Sequence, residues 1–245
     1  MRRRTKWAGG LLILLLMLPL VGAAWVFVAM SGGINSIILN MKSRPDLDSP
    51  DLKQNMTKLE EQIRADFSRA IPNERFAHYE TSTQDTCYDG ANSWKHRDGF
   101  AHRCTVRVTN FYGFDGDFRK TMLDFERRLL AAGWRSNIHD MEWTLTHLDV
   151  AGQDNAATLN QTVDRLPNPS PYYKGGFTLE ICWAERVSSR LFDLKNIQAQ
   201  AMGWVSENTF QDQRKLIDAG DVFRKVTQDH LYIVAIAIRG HYFEN

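Results

Sequence analysis

The start of this chain constrains it most. Arg2, Arg3, Arg4 and Lys6 precede an apolar run, and no further charge occurs until Lys42. Residues 7–30 are predominantly apolar and include "LLILLLMLPLVGAAWVFVAM". About twenty such residues cross a hydrocarbon core as a helix, so the run is long enough to span with modest tilt. Pro19 and the glycines at 9, 10 and 22 are tolerated in a lipid helix. The rival reading is a cleaved secretory signal, with small residues at Gly22, Ala23 and Ala24. The apolar run continues through "WVFVAM" past any cut there, which favours an uncleaved anchor.

The cluster of positive charge ahead of the run sets the orientation, because basic residues stay on the cytoplasmic side. The sequence thus predicts a cytoplasmic basic end at 1–6 and a transmembrane helix at 7–30. A juxtamembrane linker follows at 31–48, then an extracytoplasmic domain at 49–245. Arg2, Arg3, Arg4 and Lys6 are the residues flanking the anchor, and the lipid bilayer is the first expected partner. Lys and Arg together number 30 against 29 Asp and Glu, so the chain lacks the basic excess of a nucleic-acid-binding surface.

The exported part reads as α+β, an antiparallel sheet covered by amphipathic helices on one face. Ser49-Pro50 marks a helix start, with Ser as N-cap and Pro at the first helical position. Leu52, Met56, Leu59, Ile63 and Phe67 then form one apolar stripe ending before Pro72. "TVRVTNFY" alternates as a strand, and "GFDGD" is a turn in which Asp117 caps the next helix. That helix sets Phe118, Met122, Phe125 and Leu129 on one face, and Gly133 ends it. Residues 177–186 and 230–243 read as strands, the second apolar on both sides as a central strand is. Residues 150–176 are polar and rich in Pro and Gly, the pattern of a long surface excursion. Residues 188–229 read as mainly helical near "QDQRKLIDAGDVFRKV".

The stretch "CYDGANSWKHRDGFAHRC" at 87–104 holds the densest chemistry. In an oxidising compartment Cys87 and Cys104 are natural disulfide partners, bridging strands at 76–87 and 103–111. Cys182 reads as a buried thiol, although its pairing with either partner stays open. A metal site would need His96, His102 and a carboxylate such as Asp98 or Asp89 to converge. The six-residue step between the histidines is not the one-turn spacing of a helical zinc motif, and Arg103 beside His102 repels a cation. The stapled loop is the better reading, with no metal and no cofactor expected.

Other patterns carry less. "DGD" at 115–117 lacks the register of a calcium loop, and no GxSxG, Walker or dinucleotide motif occurs. His139, Asp140, Glu142 and His147 are scattered polar residues, and "PYYKGGF" is an aromatic loop suited to packing on its own domain. "NMT" at 55–57 and "NQT" at 160–162 are glycosylation acceptors if the cell is eukaryotic.

The short basic end, the single span, "CYDG…RC" feeding a strand, and "DFERRLLAAGWR" together resemble the small single-pass membrane-anchored extracytoplasmic α+β proteins of bacteria that lack an assigned function. The resemblance covers residues 1–135 and implies the same fold class, with no catalytic residue to transfer. The expected function is non-catalytic binding of an envelope protein or a small ligand. The alternatives are an anchored hydrolase using carboxylates and histidines of loops 88–102 and 139–165, and an accessory subunit of a membrane complex. Gly9 and Gly10 are adjacent rather than four apart, so the span offers no small-residue packing face for the last of these.

Overall fold

The computed structural model describes residues 41–71, 74–91, 98–136, 140–145, 171–185, 208–215 and 217–245, together with 26, 38 and 39. The expected span at 7–30 lies outside the described residues apart from Val26. Among the described residues no helix is long and apolar enough to cross a membrane.

The protein is α+β. Helix α1 (Pro50–Ala70) precedes strands β1 (Ala77–Asp89) and β2 (His102–Phe114). Helix α2 (Phe118–Ala131) leads to β3 (Arg135–Ser136), β4 (Tyr172–Lys174) and β5 (Phe177–Glu185). Strand β6 (Thr209–Lys215), helix α3 (Ala219–Asp229) and strand β7 (Tyr232–Glu244) complete the order. The strands form one seven-stranded antiparallel sheet ordered β3-β4-β5-β7-β2-β1-β6.

Local chemistry explains the element ends. Ser49 Oγ accepts from Leu52 N at 3.2 Å, and Pro50 fills a position whose N–H has no helical partner. Asp117 accepts from Lys120 N at 2.9 Å and starts α2. At the far end of α2, Gly133 takes φ +92°. This lets Gly133 N donate to Leu130 O and Trp134 N to Leu129 O, a Schellman-type stop that folds Trp134 into the core.

Leu59, Ile63 and Phe67 of α1 and Phe118, Met122, Phe125 and Leu129 of α2 share one cluster with Val234, Ile236 and Ile238 of β7. The intervening Ile233 and Ala235 belong to a second cluster, with Phe111, Cys182, Val222 and Val226. Side chains alternate along a strand, so the clusters lie on opposite faces. Helices therefore cover both faces, α1 and α2 on one and α3 on the other, where the sequence pattern suggests a single covered face. Each fully buried Ile or Val contributes roughly 1.5–3 kcal/mol, and β7 supplies four such residues to the two clusters, alongside Ala235. Its middle place in the sheet matches its two-sided apolar pattern.

Two expectations need correction. "QDQRK", expected to be helical, lies in β6, which pairs antiparallel with β1 from Thr83↔Lys215 to Tyr88↔Thr209. As an edge strand it needs no apolar period, and its exposed Asp212, Gln213 and Lys215 discourage further pairing. The helix proper begins later, where Asp218 accepts from Gly220 N and Asp221 N. The end of the expected excursion at 150–176 is also ordered. β4 and β5 form a hairpin in which Gly175 (φ +53°) and Gly176 (φ +89°) make the turn. Tyr172 of that hairpin is fully buried, so the aromatic segment packs on its own domain.

By contacts the chain divides into two units, one of residues 1–45, 89–103 and 244–245 and the other of 46–88 and 104–243. Within the larger unit Cys87 and Cys104 are bonded, and both are fully buried. Cys182 is buried in β5 outside this pair. Replacing both bonded cysteines by alanine is expected to lower unfolding stability by about 3 kcal/mol, the loop-closure value for a crosslink of this span. Denaturant melts of the oxidised parent and the double variant check this.

Candidate functional site

The described residues at the ends of the histidine-containing loop are held by hydrogen bonds. Asp89 Oδ1 lies 2.8 Å from His102 Nδ1, and His102 Nε2 lies 2.9 Å from the Lys42 carbonyl. Arg44 grips the same carboxylate with both Nε and Nη2, at 3.2 and 2.5 Å. Burial alone would raise the Asp89 carboxyl, but the hydrogen bonds from Arg44 and His102 hold it below the usual carboxylate range. Asn245 closes the group, accepting from His102 N and donating to the Ser43 carbonyl. Asp98 Oδ2 accepts from Ala91 N at 2.7 Å, a turn-closing bond.

Both ring nitrogens of His102 are therefore engaged. Asp98 and His102 each serve a bond within the loop, and His96 lies outside the described residues. Among the described residues no three potential ligands converge on a metal position. Of the scattered polar set, Asp140 caps a helical turn at 141–145, accepting from Trp143 N at 2.8 Å. His139 and His147 lie outside the described residues.

A roomier cavity lies elsewhere among the described residues. A cleft of about 560 Å³ is lined by Glu74, Arg75, Phe114, Asp115, Asp117, Lys120 and His230, with Ala77 and Thr121. This lies within the range of small-molecule sites. Three connections and one helix start line it, the α1–β1 connection supplying Glu74 and Arg75. The β2–α2 turn supplies Asp115 and Asp117, the first turn of α2 supplies Lys120, and the end of α3 supplies His230.

His230 is held from several sides. Its Nδ1 lies 2.6 Å from Asp115 Oδ2, while Asp115 Oδ1 accepts from Leu231 N at 2.7 Å. A carboxylate is an acceptor, so Nδ1 carries the proton and the tautomer is fixed. Tyr79 stands edge-on to the ring with centroids 5.8 Å apart, and its hydroxyl donates to Asp229 at 2.8 Å. Burial, then the Asp229 carboxylate, pushes the Tyr79 phenol up to about 12, so it stays a donor at neutral pH. Beneath the ring lies Gly113, where a Cβ would stand 2.3 Å from His230 Cδ2.

The remaining charges are set differently. Arg75 is bound to Asp124 at the edge of the cleft. Among the described residues Lys120, Glu74 and Asp117 enter no ion pair, leaving one cation and two anions to meet a solute. The cleft thus offers opposite charges, an oriented imidazole and the apolar edge of Phe114. Sequence reasoning noticed the "GFDGD" turn but assigned only Asp117 a role. Asp115 and His230 are separated by 115 residues, so no local spacing announces their pairing.

No protein family, curated protein or solved structure matches this chain.

Two outcomes follow from this geometry. Gly113→Ala should displace His230 and cost about 1–3 kcal/mol through overpacking. Denaturant midpoints and the His230 imidazole NMR signals read both effects. Asp89→Asn should destabilise by roughly 1–2 kcal/mol at pH 7 through loss of charge-assisted hydrogen bonds. Because the folded carboxyl is depressed, this stabilisation is present above the unfolded value near ~4 and fades as pH falls below it. Parent and variant should therefore converge in acid, as pH-dependent melting will show.

Proposed function

We propose that this protein is a single-pass membrane-anchored binding domain facing the extracytoplasmic side, and that the His230 cleft takes a small zwitterionic ligand. Residues 7–30 form the anchor in this reading, with Arg2, Arg3, Arg4 and Lys6 retained in the cytoplasm. The buried Cys87–Cys104 bond supports an oxidising compartment, since thiols are kept reduced in the cytosol.

The cleft itself carries the binding assignment. Lys120 would meet an anionic group and Glu74 a cationic one, with His230 as an oriented polar contact. Preorganisation of the imidazole by Asp115 and Tyr79 lowers the cost of ordering on binding. One observation favours a second reading, hydrolysis in the same cleft. A histidine oriented by a carboxylate is the arrangement of a general base, here acting on water. His230 would then replace the loop histidines expected from sequence.

The full chain in lipid nanodiscs, titrated with a panel of amino acids and dipeptides by calorimetry, tests the binding reading. Lys120→Ala and His230→Ala should each weaken the best binder roughly tenfold, the loss of about one charge-assisted contact. Unchanged affinity in both would remove the cleft from consideration. An alkaline phosphatase reporter fused at the C-terminus should be active in cells, and an inactive fusion would overturn the orientation. Ester turnover abolished by His230→Ala would select the hydrolytic reading.

A further inference from the structure

A second cavity holds a carboxylate whose surroundings do not match its charge. It measures about 210 Å³ and is lined by Leu47, Leu52, Lys53 and Met56 beside Asp85, Gln211, Gln213 and Tyr242. It has room for several waters or a short organic molecule. One wall is apolar, from the start of α1 and from Leu47, two residues before its cap. The other is polar, from β1, β6 and β7.

Asp85 sits in the polar wall. Its Oδ1 accepts from the Tyr242 hydroxyl at 2.7 Å and its Oδ2 from Gln211 Nε2 at 3.0 Å. Both donors are neutral, and Asp85 makes no ion pair with a described residue. The one cation on the cavity, Lys53, is bound instead to Asp48 at 2.8 Å. Asp212 on β6 adds a like charge nearby. Desolvation raises the Asp85 carboxyl, and the hydrogen bonds from Tyr242 and Gln211 do not fully offset this. Gln211 also holds a buried amide oxygen that accepts no hydrogen bond within the structure. A partly buried anion without a paired cation, facing an apolar wall, describes the complement of one chemical class.

We propose that this cavity binds a small organic ammonium, an alkylamine whose cationic nitrogen pairs with Asp85 while its chain lies on Leu47, Leu52 and Met56. The ammonium supplies the countercharge that Asp85 lacks. The apolar wall excludes hydrated metal ions, which need oxygen on all sides. This site is distinct from the His230 cleft and does not depend on the reading of that cleft.

The probe is n-butylammonium, observed by saturation-transfer NMR with the full chain in phosphatidylglycerol nanodiscs, which carry no ammonium of their own. Butanol and butyrate serve as neutral and anionic counterparts. Butylammonium should bind at pH 7 and the other two at least tenfold more weakly. Asp85→Asn should lose about tenfold or more in affinity, the value of a charge-assisted contact. Its new amide can pair with Gln211 after a flip of that side chain, so the variant keeps its internal hydrogen bonds. Met56→Trp, which adds bulk on the apolar wall and leaves Asp85 in place, should also abolish binding. For the parent, affinity should fall as pH drops from 7 toward 4 and Asp85 gains a proton. Equal binding of butanol and butylammonium by the parent would overturn the proposal without any variant. Full binding by Asp85→Asn or by Met56→Trp would do the same.

Discussion

Burial of β7 on both faces is the constraint from which the rest of the fold follows. A strand whose residues alternate between two apolar clusters must be covered twice, so the helices are divided between the faces. The larger cover, α1 and α2, comes close enough that Gly240 has no space for a side chain. A Cβ there would stand 2.9 Å from Leu59 Cδ1 and from the Phe177 ring. β7 thus fixes the height of α1 over the sheet as well as the strand order around itself.

The smaller cover has a different consequence. α3 spans only 11 residues and is too short to be stable without packing. Val222 and Val226 anchor it on Phe111, Ile233 and Ala235. That seat brings its C-cap, His230, over Gly113 and against Asp115 in the β2–α2 turn. The cleft is therefore a product of the way α3 ends. Its walls are connections between elements already placed by the core, which is where polar groups are free to vary.

These layers were not equally visible in the sequence. The helix of Leu52, Leu59, Ile63 and Phe67, the Ser49 cap, the Gly133 stop and the two-sided β7 follow from periodicity and capping, which are local signals. The Cys87–Cys104 pairing was also legible, because the strands carrying the two cysteines are joined by one loop. β6 was misread because an edge strand carries its identity in the partner that it pairs with. "QDQRK" holds no apolar alternation, and β1 supplies the pairing. Tyr172 was hidden for a related reason, since its burial follows from a two-glycine turn that returns it to the sheet. The candidate sites were the least legible. His230 meets Asp115, and Asp85 meets Tyr242 and Gln211, only after the sheet has formed.

A comparison of the sheltered carboxylates shows why Asp85 stands apart. Asp66 is buried, but Lys174 Nζ reaches it at 2.9 Å and Arg69 at 3.4 Å. Asp89 is held by Arg44 and His102. Glu126 is buried and takes donors from Met141 N, Glu142 N and the Tyr172 hydroxyl, so backbone dipoles satisfy both oxygens. Each of these meets the cost of desolvating a charge with a cation or with a set of fixed donors. Asp85 has two neutral side-chain donors and a neighbouring anion, and it faces a cavity instead of packed atoms. A purely structural carboxylate at that position gains nothing over the neutral amide, which would make the same two contacts with one side chain turned over. Retaining the charge is physically reasonable when a cation arrives from outside the chain.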